Sequence, residues 1–209
     1  NDKTELVYDL NKSQVSTLAS EIDTQFEGIS DKFKLFAMLT NSSSTKLVGE
    51  LFGKDSDVVF VSLYKSKDGD SLRKFENRLY RETYGLSTSY FEKDLVQERN
   101  IPFTQILKNG ESFWNATTKN GPPLIGFGRS VVVENSEGVA IDQMAVVGYI
   151  RPDRMMKSLS LVKLSEIMVV SHEGEILAHP ESATLKQHTL VVKNPIFQTA
   201  LQSKTKTSV

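Results

Sequence analysis

The sequence predicts an α+β fold, in which a long N-terminal helix precedes an antiparallel sheet and a smaller second unit. Three observations predict it. Apolar residues recur every three, four or seven positions over residues 8–36, which is the spacing of a helix with one buried face. From Asp57 onward, segments rich in β-branched and aromatic residues alternate with turn signals. Near residue 164 a strand, turn, strand and helix pattern begins again.

The composition is that of a globular domain and excludes several classes of protein. The chain has 209 residues, of which 39% are apolar and 24% charged, so wholesale disorder is excluded. With 25 Lys and Arg against 26 Asp and Glu, it lacks the basic excess typical of nucleic-acid binding. The absence of Cys excludes disulfides, thiolate zinc sites and Cys nucleophiles. No apolar run reaches the roughly 20 residues that span a bilayer, and we expect a soluble piece of a larger protein.

The first predicted element is one long helix from residue 5 to about residue 46. Its apolar stripe consists of Tyr8, Val15, Leu18, Ile22, Ile29, Phe33 and Phe36. A break or N-cap is expected at 41–45, followed by a further helical stretch over 46–52. Since the average helix has about 11–12 residues, this helix is expected to be either a spine for other units or one strand of a dimer.

The sheet is predicted from five segments. Strands are expected over 58–64, 72–80, 112–118, 124–134 and 143–150, with helical segments over 87–100 and 103–107 between the second and third. This order predicts an antiparallel sheet with helices on one face.

The second unit is predicted to repeat the beginning of the first. A short helix over 151–156 leads to strands at 164–170 and 175–178, a turn at 171–174, and a helix over 194–202. Three strands are missing from its end. The predicted domains are therefore 1–52, 53–156 and 157–209, the last one incomplete.

Residues 166–180, which end in His179-Pro180, resemble the membrane-proximal half of a double Cache domain. Residues 109–117, 123–131 and 145–150 resemble the last three strands of its PAS-like membrane-distal half, and the N-terminal helix resembles its stalk. This resemblance implies the periplasmic or extracellular part of a membrane-anchored bacterial receptor, with a small-molecule pocket in the distal half. It implies homodimerisation through the stalk helix and a cytoplasmic output domain such as a chemotaxis domain, kinase, phosphatase or adenylate cyclase.

One family pattern is absent. Amino-acid-binding members carry Arg-x-Trp-Tyr before the third strand and an Asp near the end of the last. Here the corresponding segment reads Glu111-Ser-Phe-Trp-Asn115 and the last strand ends Gly148-Tyr-Ile150. Because the groups that would hold an α-carboxylate and an α-ammonium are absent, the sequence disfavours an amino-acid ligand.

The candidate ligand-binding residues are aromatic side chains and one cation in the distal half. They are Tyr90, Phe113, Trp114, Phe127, Arg129 and Tyr149. Trp114, Phe113, Phe127 and Tyr149 are expected to line the concave face of the sheet, with ordinary core packing as the alternative. Alternation places Arg129 and Phe127 on one face and Gly126 and Gly128 on the other, leaving room for a ligand or for close helix packing.

Arg129 has two interpretations. It could grip a ligand carboxylate or phosphate, or it could form a salt bridge or face water. His172 and His179 flank a predicted hairpin with Glu173 and Glu175 between them, which is a possible zinc cluster. However, Glu173-Gly174 is typical of a turn, and the resemblance implies that His179-Pro180 is the structural end of a strand, so neither a metal nor a cofactor is expected.

The sequence thus predicts a ligand-sensing domain that is not itself an enzyme, since it carries no recognised catalytic motif. The first alternative is a protein-interaction or spacer module of the same fold. The second is an enzyme with an unrecognised site, which a cluster of titratable groups with strongly perturbed pKa values in a cleft would indicate.

Overall fold

A computed structural model describes residues 2–39, 44–53, 56–65, 71–134, 137–138, 140–162 and 167–202. The chain divides into two compact units, one of residues 29–151 and one of residues 1–28 together with 152–209. The domain boundaries expected from the sequence stay a prediction. None of the described helices combines the length and apolar character needed to cross a membrane.

The N-terminal helix α1 runs over Asp2–Met38. Its predicted stripe is buried at Leu18, Ile22, Ile29, Phe33 and Phe36. The predicted extension to residue 46 is wrong. Leu39 already lies outside the helix, and its carbonyl accepts a hydrogen bond from the Arg73 guanidinium. Residues 40–43, where the break was expected, lie outside the described part, and helix α2 follows at Ser44–Leu51.

A five-stranded antiparallel sheet forms the centre of the larger unit, in the order β2-β1-β5-β4-β3. The strands are β1 Val58–Lys65, β2 Ser71–Glu76, β3 Glu111–Asn115, β4 Ile125–Glu134 and β5 Ala140–Ile150. In the register, Gly126 of β4 lies between Trp114 of β3 and Tyr149 of β5. The neighbouring Phe127 is paired with Phe113 and Gly148. Alternation along each strand therefore separates these residues onto two faces.

The helices between β2 and β3 differ from the prediction. The strand expected over 72–80 ends at Glu76, because the Asn77 side chain accepts a hydrogen bond from the Tyr80 amide at 3.0 Å and caps helix α3. The helix expected over 87–100 is shorter than predicted. The elements are α3 Arg78–Thr83, a π-helix Tyr90–Asp94 that continues into α4 Leu95–Glu98, and α5 Phe103–Asn109.

Both faces of the sheet are covered, so the expectation of helices on one face is wrong. Side chains of the segment between β2 and β3, among them Tyr90, Phe91 and Ile106, pack on one face together with Trp114 and Tyr149. We call this the aromatic face. Residues 29–38 of α1 cover the opposite face, where the Phe33 and Phe127 ring centroids are 5.1 Å apart. We call this the stalk face.

The smaller unit contains a two-stranded sheet and short helices. Its elements are α6 Asp153–Ser160, β6 Val169–Val170, β7 Ile176–Ala178, α7 Ser182–Leu185 and α8 Pro195–Gln202. The predicted turn between its strands is present, with Gly174 at φ +86°, a conformation that favours glycine. Strand β6 is shorter than the predicted 164–170, of which residues 164–166 lie outside the described part. Helix α7 was not predicted.

Candidate ligand-binding site

The structure divides the six predicted site residues between the two faces of the sheet. The aromatic face holds Tyr90, Trp114 and Tyr149, and the stalk face holds Phe113, Phe127 and Arg129. The expectation that the four strand aromatics share one face is wrong, because adjacent residues of a strand, such as Phe113 and Trp114, point to opposite sides. Ligand binding by these residues stays a prediction.

Trp114 lies flat over the backbone of the neighbouring strand. A Cβ built on Gly126 would be 2.1 Å from its indole ring, and one on Gly128 would be 2.2 Å from Ile106 of α5. The space above these two glycines is therefore used for close packing. Trp114 is 5% exposed, and its indole Nε1 is buried with no hydrogen-bond partner among the described residues. This N–H is a donor only, so an acceptor is needed to satisfy it.

Tyr149 occupies the centre of the aromatic face. It is 0% exposed, and its ring centroid lies 5.8 Å from that of Phe60, 5.9 Å from that of Phe91 and 6.4 Å from that of Trp114. Its hydroxyl is buried and has no partner in the described part of the chain. Burial, together with the nearby Tyr64 and Tyr90, raises the pKa of Tyr149 well above its usual value, so the phenol stays neutral and able to donate.

Tyr90 differs from these two residues because its hydroxyl is satisfied within the protein. It lies 2.8 Å from the hydroxyl of Thr118, and burial raises its pKa. A Cβ on Gly121 would be 2.2 Å from the Tyr90 hydroxyl, so the loop after β3 closely approaches the π-helix. Tyr90 therefore joins the cover of the aromatic face to the loop that follows β3.

Among the residues that the structure describes, no Asp, Glu, Lys or Arg is buried, so the interior of the aromatic face carries none of these charges. Two cations at its edge have partners. Lys74 of β2 lies 2.7 Å from Glu92 of the π-helix, and Arg99 donates to the Asn115 carbonyl at 2.8 Å. The described interior of this face therefore presents aromatic and aliphatic surface together with neutral hydrogen-bonding groups.

Arg129 has the salt-bridge environment that was one of its two interpretations. Its guanidinium contacts the Ser30 hydroxyl of α1 and lies 3.5 Å from the Glu111 carboxylate. It ties the stalk helix to the edge of the sheet. Sequence reasoning missed Ser30 because no periodicity shows that β4 and the helix meet at this point.

Phe33 is a second contact that the sequence did not indicate. A Cβ on Gly148 would be 2.3 Å from the Phe33 ring and 2.7 Å from the Phe60 carbonyl. The helix thus rests directly on the backbone of β5, on the side opposite Tyr149. The only sequence signal was a glycine inside a strand pattern.

The two histidines have different environments. His179 is buried, and its Nδ1 accepts a hydrogen bond from the Glu181 amide at 3.0 Å, whereas His172 is exposed. No group of three potential metal-ligating side chains converges in the described ranges.

The structure is similar to solved sensor domains of bacterial chemoreceptors. The ligand-binding domain of the Pseudomonas aeruginosa PAO1 amino acid chemoreceptor PctB, in complex with L-Gln, matches with a TM-score of 0.54 and 16% identity, covering 88% of this chain and 72% of that one. The periplasmic sensory domain of the Campylobacter jejuni chemoreceptor Tlp1 matches with a TM-score of 0.52 and 13% identity, covering 95% and 81%. No protein-family model matches the chain, and no curated protein matches it.

These similarities show that the chain has the fold of an extracytoplasmic sensor domain. The predicted resemblance and the predicted α+β class are confirmed at the level of the fold. At this low sequence identity the comparison shows the fold alone, and the site must be argued from its own residues.

Proposed function

We propose that this chain is the periplasmic ligand-sensing domain of a bacterial membrane receptor, and that a small molecule binds on the aromatic face. The observation that carries this proposal is the pair of buried polar groups on that face, Trp114 Nε1 and Tyr149 Oη, which lack partners among the described residues. Buried polar groups are nearly always hydrogen-bonded, and each exception asks for an explanation. A bound molecule that accepts from both groups is such an explanation.

The elements that cover this face are suited to opening. They are short helices, and one of them is the π-helix Tyr90–Asp94. Such segments are frequent at functional sites. Because Trp114 and Tyr149 are almost completely buried, a ligand reaches them only when this cover moves. Binding would then select a rearranged cover from the conformations that the domain samples.

The route to the stalk helix is short. Tyr149 and Gly148 are consecutive residues of β5, with Tyr149 on the aromatic face and Gly148 beneath Phe33 of α1. A shift of β5 on binding therefore changes how helix α1 packs on the sheet. The Arg129–Ser30 contact provides a second connection between the sheet and this helix. In the full receptor, the domain would form a homodimer through the stalk helix. The paired stalk helices would then transmit this change across the membrane to the output domain.

A thermal-shift screen tests binding. The domain is heated with carboxylates, purines, polyamines, sugars and neutral aromatic compounds. A ligand at 100 times its dissociation constant should stabilise the folded domain by about 2.7 kcal/mol. A hit should also change the fluorescence of Trp114, which is the only tryptophan.

Two variants separate binding from transmission. Trp114→Phe should lower the affinity for the compound found in the screen, because the indole donor is lost. Arg129→Ala should leave binding intact, because Arg129 lies on the stalk face. If no compound shifts the midpoint while a control protein responds, ligand sensing is rejected in favour of a protein-interaction or spacer module.

A further inference from the structure

We infer that the ligand of the aromatic face is an uncharged, planar molecule with a hydrogen-bond acceptor such as an amide carbonyl. This inference rests on the proposed function and adds the chemical class of the ligand. It follows from three features of the face: its two unpaired donors, its lack of charge and its aromatic walls.

The donors require an acceptor. The Trp114 N–H can only donate, and the neutral Tyr149 hydroxyl can donate or accept. Their rings are edge-to-face neighbours, with centroids 6.4 Å apart and an interplanar angle of 82°, so the two donors belong to adjacent side chains of the same face. A carbonyl oxygen has two lone pairs and could accept from either donor.

The surroundings select against ionised groups. No Asp, Glu, Lys or Arg is buried in the described part of the chain, so none lies inside the cluster around Trp114 and Tyr149, and Lys74 at its edge is paired with Glu92. An ionised carboxylate or ammonium would lose its hydration without gaining a counter-charge, which is strongly unfavourable. A neutral acceptor carries no such penalty.

The aromatic side chains of this face favour a ligand with a flat, apolar ring. Phe60, Phe91 and Tyr149 are stacked, with interplanar angles of 18° between the two phenylalanines and 19° between Phe91 and Tyr149. Parallel rings of this kind favour a further planar group in offset stacking. The chemistry of the face thus differs from that needed for a zwitterion.

The test uses three compounds of the same shape and different charge: benzamide, benzoate and benzamidinium. Each is titrated into the domain at neutral pH by isothermal titration calorimetry. We expect benzamide to bind and both ions to bind at least tenfold more weakly. Tyr149→Phe, which removes only the unpaired hydroxyl, should weaken benzamide binding about threefold to tenfold, and Trp114→Phe should do the same.

Tyr84→Phe is the matched control, because Tyr84 is 47% exposed and its hydroxyl is not one of the buried polar groups without a partner, although its ring packs against Tyr80 of the cluster. It should leave the affinity unchanged. Tyr149→Phe should fold at least as stably as the parent domain, since an unsatisfied buried group is lost, and its unfolding midpoint is measured alongside.

The outcomes separate the two proposals. Tighter or equal binding of benzoate or benzamidinium overturns the neutral class but leaves ligand sensing in place. If neither Tyr149→Phe nor Trp114→Phe changes the affinity for benzamide, the compound binds elsewhere, and the inference is also overturned. If none of the three binds, the inference fails, and the broad screen described above then decides the sensing function independently.

Discussion

The close packing of the stalk helix on Gly148 leads to a quantitative prediction for the stability of Gly148→Ala. The added Cβ would lie 2.3 Å from the Phe33 ring and 2.7 Å from the Phe60 carbonyl. Carbon atoms in contact prefer about 3.5–4.0 Å, so the ring would have to retreat by about 1.2 Å or more. Phe33 is fully buried and the carbonyl belongs to the backbone, so neither neighbour can yield easily.

Overpacking of this kind costs about 1–3 kcal/mol, and the geometry places Gly148→Ala near the upper end. Replacing glycine also lowers the entropy of the unfolded chain, which offsets about 0.4–1 kcal/mol. The expected net loss of unfolding free energy is therefore about 2 kcal/mol. Urea denaturation followed by Trp114 fluorescence measures it, because the only tryptophan lies in the same compact unit.

Gly49→Ala is the matched control. Gly49 lies in helix α2, and a Cβ there would meet nothing within 4 Å. The same substitution should stabilise the domain by about 0.5–1 kcal/mol, since glycine is unfavourable inside a helix. The reasoning is refuted if Gly148→Ala is as stable as the parent or changes stability in the same direction as Gly49→Ala.

Three further predictions concern single side chains. Asn77→Ala removes the cap of α3 and should destabilise the domain by about 1 kcal/mol in the same urea assay; an unchanged midpoint would contradict the cap. Arg129→Ala should leave ligand affinity unchanged, as measured by calorimetry, and equal loss of binding in Arg129→Ala and Trp114→Phe would place Arg129 in the site. Because the folded state raises the pKa of Tyr149, stability should fall as the pH rises above about 10. Tyr149→Phe should therefore move the midpoint of alkaline unfolding, followed by circular dichroism, to higher pH, and an unmoved midpoint would argue against a buried phenol.

The local spacing of apolar residues was sufficient to predict the α+β class. A stripe that includes Leu18, Ile22 and Phe33 specifies the buried side of α1, because helical periodicity depends only on local spacing. The ends of elements were less predictable. The start of α3 depends on the side-chain cap at Asn77. Just after the end of α1 at Met38, the Leu39 carbonyl accepts a hydrogen bond from Arg73, which is distant in sequence.

The candidate site was predicted in part. Trp114 and Tyr149 lie side by side because β3, β4 and β5 pair in one register, and a single sequence does not show strand pairing. The separation of Phe113 from Trp114 was available from alternation alone. The unpaired state of the indole and phenol groups could not be predicted, since it depends on every neighbouring atom.

The close contact between Phe33 and the backbone of β5 also limits how the sequence can diverge. The Phe33 ring fills the space that a side chain at Gly148 would occupy. On the other face, the Trp114 ring does the same at Gly126. A larger residue at either glycine is compatible with the fold only when its aromatic partner becomes smaller. Among homologous sequences, substitutions at these four positions should therefore occur in pairs, Gly148 with Phe33 and Gly126 with Trp114.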